Sequence, residues 1–441
     1  MRKLMLGVIL LLLFASPPAA GAQQDSTARS KARQDSIAKA VKDSIALMKE
    51  LGGALAAPSD TTKGAAGSPT GTQTGPTNPH LLPDISAVGD FVADFSPKGT
   101  TQEDRARFSI RETELAVQAV VDPYFRGDIF LGINDLEGIA IEQAYLTTTS
   151  LPHQLQVRLG RWLMPFGKEN TVHRHDLHTI EYPYVIQSFL SPDGLKGTGA
   201  ELSRVFSPFG FYQELIVDAI DRLGERPEDL FTPEEVNKSL ASLGYSARLR
   251  NYVDFNESSN FELSFSAMTG LRARAFDTLF AAQLPNDINA ALARQTVLGT
   301  DLTYRWRPLQ QGLYKSFMLQ GEFMWELNER DPDIDVDCSQ CLIKVPTGPE
   351  WPGRNYTGAY LLARYQVTQR GFLDARYDYL QDPLNDGRTL NAGSVYLEWF
   401  PSEFSKLVAG YEATSPAGGS VVNRLLLQAT FALGPHKPHP F

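Results

Sequence analysis

From Asp84 onward, apolar and polar residues take turns along the chain. In "ISAVGDFVADF" Ile85, Ala87, Gly89, Phe91, Ala93 and Phe95 stand against Ser86, Asp90 and Asp94. That period of two belongs to a strand with one apolar and one polar face. "LQVRLG" sets Leu155, Val157 and Leu159 against Gln156 and Arg158, and "FELSFSAM", "TLNAGSVYLEWF", "SKLVAGYE" and "RLLLQATFAL" repeat the pattern. Sixteen such segments are predicted, near 84–95, 107–121, 124–133, 139–148, 154–162, 197–206, 211–219, 241–251, 259–269, 295–307, 314–326, 356–367, 371–380, 388–400, 405–412 and 422–433.

The connections sort by parity. After the second segment every other one is short: "VDPY", "SLPH", "FSPFG", "DFNES", "RPLQQG", "VTQRG", "PSEFS". Those between are mostly longer, including 163–196, 220–240, 270–294 and 327–355. Tight turns at one end and larger loops at the other are the pattern of an outer-membrane barrel. A soluble sandwich has no reason to sort its loops in this way. The expectation is an all-β fold, a 16-stranded antiparallel transmembrane β-barrel over residues 84–441. An even strand number returns both chain ends to the periplasmic side. Tyr304, Trp306, Phe323, Trp325, Tyr377, Tyr379, Trp399 and Tyr411 fall on the apolar phase, mostly near segment ends, where interfacial girdles form. Phe441 supplies an aromatic terminus, set off by the tail "GPHKPHPF".

Residues 1–22 read as a cleaved secretory signal: Met1-Arg2-Lys3, an apolar run from Leu4 to Ala15, then Ala20-Gly21-Ala22. Residues 23–52 carry Ile37, Val41, Ile45 and Met48 at helical spacing on a charged background, predicting a helical or coiled-coil periplasmic arm. Residues 53–83, rich in Gly, Pro, Thr and Ala, read as a flexible linker. No stretch is long and apolar enough for a membrane-spanning helix.

The formal charge of the chain is −10. Removing the signal takes away two basic residues, and residues 23–83 hold seven basic and five acidic side chains, which leaves −14 on the barrel region. Such a surface repels nucleic acid.

The stretch "IEQAYLTTTSLPHQLQVRLGRWLMPFGKENTVH" resembles outer-membrane porins of the phosphate-selective (porin O/P-like) type. Those carry an acidic-x-Ala-Tyr strand, a short turn, a Gly-Arg strand and then Pro-Phe-Gly. Here these are Glu142, Ala144, Tyr145, Gly160, Arg161, Pro165, Phe166 and Gly167, and "SPDGLKGTGAELS" resembles the return strand. The likeness covers roughly residues 110–205. The lysine-rich, arginine-ladder anion pathway of that family is not part of it. The resemblance implies that 163–196 is the third external loop, folding inward to narrow the pore.

On that placement Lys168, Glu169, His173, Arg174, His175, Asp176, His178 and Glu181 are the expected constriction, facing water and passing solutes. A loop packed on the wall by structural hydrogen bonds is the alternative. His173, His175 and His178 are also metal candidates, since histidines two and three apart can meet at one tetrahedral ion. Arg111, Arg126, Asp128, Glu142, Arg158, Glu201 and Arg248 lie on the inward phase as lumen-wall charges, and Asp301, Arg305, Glu322, Asp374, Arg376 and Glu398 share that phase. Cys338 and Cys341, in the acidic stretch "DPDIDVDCSQC", are the expected local disulfide of an oxidising compartment.

No catalytic constellation and no cofactor motif is present. The sequence therefore predicts a porin in the bacterial outer membrane, in contact with lipid and lipopolysaccharide, passing small hydrophilic solutes. A homotrimer is compatible with it. The rival readings are a metal-uptake barrel using the histidine loop and an envelope tether acting through the N-terminal arm.

Overall fold

A computed structural model describes residues 83–102, 105–134, 138–221, 223, 240, 243–273, 292–328, 355–383, 388–416 and 419–434. The strands are β1 Asp84–Asp94, β2 Phe108–Asp122, β3 Phe125–Asn134, β4 Gly138–Thr148, β5 Leu155–Leu163, β6 Lys196–Phe206, β7 Tyr212–Ile220 and β8 Gly244–Asn256. They continue as β9 Ser259–Ala273, β10 Leu292–Trp306, β11 Phe317–Asn328, β12 Asn355–Thr368, β13 Gly371–Asp382, β14 Arg388–Ser402, β15 Ser405–Ser415 and β16 Val422–Leu433.

Each strand pairs with its neighbours in sequence, and β1 pairs antiparallel with β16, so the sheet closes into a 16-stranded barrel. Closure leaves no strand edge unpaired, the condition for backbone to sit in lipid. The sixteen expected segments all appear as strands. The proposed signal, arm and linker lie outside the described residues, except for Pro83, and so do Cys338 and Cys341.

Burial is inverted relative to a soluble protein. Along β13, Leu373, Ala375 and Tyr377 are exposed while Asp374, Arg376 and Asp378 are buried. On β14 and β15, Val395, Leu397, Trp399, Leu407 and Tyr411 are exposed, and Glu398, Lys406 and Glu412 are buried. An apolar outer face and an ionic inner face suit a transmembrane barrel.

The inward phase also carries apolar side chains: Met268, Val297, Met324, Leu362 and Leu380, each on a different strand from β9 to β13. They pack with Met164, Phe166, Leu177, Val185, Ile186, Phe189 and Leu190, all from the β5–β6 connection. The barrel thus contains a second apolar core inside its lumen, built between wall and loop. Each fully buried aliphatic or phenyl side chain contributes about 1.5–3 kcal/mol, more than a typical single hydrogen bond. A short helix, α1 Tyr184–Phe189, carries Val185, Ile186 and Phe189 into that core.

Two β-bulges break the alternation where the loop meets the wall. Asp90 pairs with Glu112 but Phe91 pairs with Ile110, so Arg111 is the extra residue of β2. Phe130 pairs with Gln143 but Leu131 pairs with Ile141, so Glu142 is the extra residue of β4. An extra residue shifts the phase by one. Arg111 and Glu112, and likewise Glu142 and Gln143, therefore all line the same lumenal pocket.

Candidate functional site in the barrel lumen

The connection from 164 to 195 leaves the barrel end that carries the longer loops and folds back inside. Its entry is Pro165-Phe166-Gly167. Phe166 is fully buried, and the Gly167 N–H donates to Ser266 Oγ at 3.1 Å. Gly167 has φ +64°, and a Cβ there would lie 2.0 Å from Glu322 Oε2. Only glycine fits this approach without strain. The neck is closed by Asn170, whose Nδ2 donates to Met164 O at 2.8 Å while its Oδ1 accepts from Leu195 N–H at 2.7 Å. In the preceding strand, Gly160 has φ +134°, and a Cβ there would stand 2.1 Å from Ala144 O. The glycines of the Gly-Arg and Pro-Phe-Gly motifs are thus places where wall or loop backbone comes too close for a side chain.

Beyond the entry, the segment is fastened to strands around the lumen. Lys168 Nζ lies 2.9 Å from Glu262 Oε2 on β9, a carboxylate shared with Arg250 and Arg305. The Glu169 N–H donates to Glu322 Oε1 on β11 at 2.7 Å, and Gln320 Nε2 donates to the Glu169 carboxylate at 2.5 Å. Lys406 on β15 donates to the carbonyls of His175 and Leu177 at 2.5 and 2.9 Å. Arg376 on β13 donates to Thr179 Oγ1 at 2.8 Å and Glu181 O at 2.7 Å. Tyr184 OH donates to Glu412 Oε1 at 2.7 Å, and Glu412 is also paired with Arg424.

The expected constriction residues separate into two sets. Glu169, His175 and Glu181 are buried, which corrects the expectation that they all face water. The reason is that the wall offers charged partners at matching heights and the apolar positions of the same segment drive it against that wall. Lys168, His173, Arg174, Asp176 and His178 are only partly covered. Arg174 bridges Glu181 at 2.8 Å and Asp193 at 2.6 Å. His173 Nδ1 stands 2.7 Å from Glu114 Oε2 on β2, and its Nε2 lies 2.6 Å from the Gln143 amide on β4. His178 does not join the other two histidines. It sits in the field of Arg364, Lys406 and Arg305.

The ionisation of these loop groups follows their surroundings. Burial lowers the His178 pKa well below its ordinary value, with the three cations adding to the effect. His175 is lowered as well, chiefly by burial. Burial works against the charged form of His173 too, but its bond to the Glu114 carboxylate outweighs this and raises the pKa. For Glu181 burial is outweighed by Arg174 and Arg111, and the pKa falls. For Glu169 burial prevails and the pKa rises. Burial also dominates at Lys168, lowering its pKa despite Glu262.

The lumen-wall charges are paired rather than arrayed. Arg111 lies 2.5 Å from Asp90 and 3.6 Å from Glu181. Arg126 meets Asp128 at 3.0 Å, Arg158 meets Glu201 at 2.8 Å, and Arg248 meets Asp301 at 3.2 Å. Glu142 pairs with Lys196. A pocket lined by Arg111, Glu112, Glu142, Gln143, His173, Arg174, Asp193 and Lys196 encloses about 570 Å³, open solvent at its mouth included. Both signs of charge therefore stand around one water-accessible space.

Sequence reasoning missed Glu112, Glu114, Gln143, Glu262, Lys406 and Glu412 as partners of the segment. It marked Glu322 as an inward-phase charge, without the partner in the segment that the structure gives it. For Glu112 and Gln143 the bulges hid that phase.

No family model matches the chain. An uncharacterized protein of Aquifex aeolicus (strain VF5) is 25% identical over 359 residues, spanning 76% of this chain and 70% of that one. Among solved structures, the chain is similar to the anion-selective porin from Comamonas acidovorans, with TM-score 0.49, 11% identity, and 80% of this chain and 99% of that one covered. OprB of Pseudomonas putida gives TM-score 0.48 and 10% identity over 80% of this chain and 94% of that one. The outer membrane channel DcaP of Acinetobacter baumannii gives 0.47 and 11% over 80% and 96%.

Proposed function

We propose that this chain is a passive channel of the bacterial outer membrane, through which small hydrophilic solutes diffuse down their gradients, with residues 163–196 narrowing the lumen. The observation that carries the reading is the pairing of a closed barrel, apolar outside and ionic inside, with a segment held within it by the wall's own charges. In such a device the aqueous route runs beside the segment. The pocket between the segment and β2 to β6 is the proposed mouth of that route. Its mixed charges suit small polar solutes, and a transverse field across the narrowing discriminates against apolar ones.

Contact with outer-membrane lipid and lipopolysaccharide, export through a cleaved signal over residues 1–22, and a homotrimer are part of the same proposal. The exposed belt of Val395, Leu397, Trp399, Leu407 and Tyr411 supports the lipid contact.

The test is conductance of the purified protein in planar bilayers. Stepwise currents are expected, and they should grow in Lys406→Met, which loosens the segment without removing wall strands. If neither the native protein nor Lys406→Met conducts at any applied voltage, the channel reading fails. Reversal potentials in a salt gradient then read the ion preference.

A further inference from the structure

The histidine segment and β2 meet at a place with a chemistry of its own. Glu114, His173 and His175 each present a ligand atom, and the three atoms lie within 4.8 Å of one another. His173 Nδ1 is already 2.7 Å from Glu114 Oε2. The two imidazoles face each other with ring centroids 5.4 Å apart. Glu114 and His175 are buried, at 2% and 1% exposure, so two of the three donors are held in place by packing. The second ring nitrogen of His173 is held by the Gln143 side-chain amide at 2.6 Å, which fixes the ring's orientation. Phe130 packs against the same ring at a centroid distance of 5.3 Å.

We propose that Glu114, His173 and His175 form a site for one divalent transition-metal ion of the zinc class, which ties the lumenal segment to β2. Two imidazoles and one carboxylate are a zinc donor set, with bonds of about 2.0–2.2 Å that place tetrahedral ligands about 3.3 Å apart. From a spread of at most 4.8 Å, the widest edge must close by up to about 1.5 Å, while the 2.7 Å edge between His173 Nδ1 and Glu114 Oε2 opens by about 0.6 Å, both by side-chain rotation. The ion takes the position between Nδ1 of His173 and the Glu114 oxygen, replacing the direct contact. A fourth ligand is water from the pocket that His173 lines, or Asp176, whose Oδ2 stands 3.8 Å from His175 Nε2.

The membership of this site differs from the histidine triad visible in the sequence. His178 is outside it, since the ligand atoms that come together are those of Glu114, His173 and His175. Glu114 replaces it, contributed by a strand 59 positions before His173. The separate placement of His178 gives the experiment its internal control.

Untagged protein in detergent, stripped with chelator, is titrated with zinc chloride by calorimetry and with cobalt(II) chloride by visible absorption. The expected result is one zinc per chain, and cobalt bands of tetrahedral intensity that zinc abolishes. His173→Ala, His175→Ala and Glu114→Gln should each weaken zinc binding on the order of tenfold or more, and His178→Ala should leave it unchanged. Heat-dependent migration on gels verifies that each variant keeps its barrel, and Glu114→Asp, which retains the carboxylate, should recover part of the lost affinity. Absence of saturable zinc binding in the native protein overturns the proposal. So does binding that survives the combined His173→Ala, His175→Ala and Glu114→Gln replacement, or that is lost in His178→Ala alone. The measurement involves no current, so its outcome is independent of the channel reading.

Discussion

Lys406 donates an ammonium hydrogen to the carbonyl oxygen of His175 at 2.5 Å, joining the start of strand β15 to the middle of the lumenal segment across 231 positions of sequence. The lysine is 1% exposed and also donates to Leu177 O. A buried cation needs hydrogen-bonding partners, and here two loop carbonyls supply them. The wall charge and the path of the segment are therefore one interaction.

Replacing that ammonium should release the segment. Hydrogen bonds from charged groups contribute about 1.5–3 kcal/mol, so Lys406→Met should lower the local stability of residues 164–195 by roughly that amount. Amide hydrogen exchange would show it as faster exchange in the segment with the barrel strands unchanged. Unaltered protection in the segment would mean that the lysine does not hold it.

Gly167 should tolerate no side chain. A left-handed backbone costs an L residue about 1–2 kcal/mol, and the added Cβ would overlap Glu322 Oε2. Gly167→Ala is expected to detach the entry of the segment from β9 and β11, raising proteolytic cleavage within 164–195. Combining it with Glu322→Ala, which removes the overlapping oxygen, should recover part of the loss. A segment as resistant in Gly167→Ala as in the native protein would refute the role given to this contact.

The segment should loosen at both ends of the pH scale, for different reasons. Glu181 has its pKa lowered because Arg174 and Arg111 outweigh burial. Its stabilisation is present above the ordinary glutamate range and is lost as pH falls through its depressed value. His173 has its pKa raised because Glu114 outweighs burial. Its stabilisation is present below about 6.5, the ordinary histidine value, and is lost as pH rises through the elevated one. Protection factors of 164–195, corrected for intrinsic exchange, should peak between the two. Glu181→Gln should remove the acid-side decline, and His173→Ala the alkaline one. If each variant keeps its decline, the groups are assigned wrongly.

The outer face should reject charge. Val395 is exposed near the middle of β14, between the inward-facing Ser394 and Tyr396. An arginine on the lipid face near the midplane costs about 2–4 kcal/mol. Val395→Arg should lower unfolding stability in lipid vesicles by that amount, measured by denaturant titration. A cost well under 1 kcal/mol would place Val395 away from the hydrocarbon.

The sequence by itself determined the barrel. Sixteen alternating segments, a parity rule in their connections and aromatic residues on the apolar phase were enough, because the pleat of a strand writes its two environments into successive residues. All sixteen segments are strands, and their ends differ from expectation by a few residues. Alternation also marked Arg111, Arg158 and Glu201 as inward-phase charges; in the structure Arg111 pairs with Asp90, and Arg158 with Glu201.

What only the tertiary structure decided is how those inward residues pair and where the segment lies among them. Glu169 meets Glu322 across 153 positions, and Tyr184 meets Glu412 across 228. Nothing local encodes which strand a folded-in loop will touch. The bulges at Arg111 and Glu142 deepen the gap, since one extra residue reverses the phase on which the inward reading depends. The apolar seat of the segment was hidden for a related reason: Met268, Val297 and Met324 occupy positions that alternation assigns to water, and they become a core only once the β5–β6 connection folds into the barrel and excludes that water.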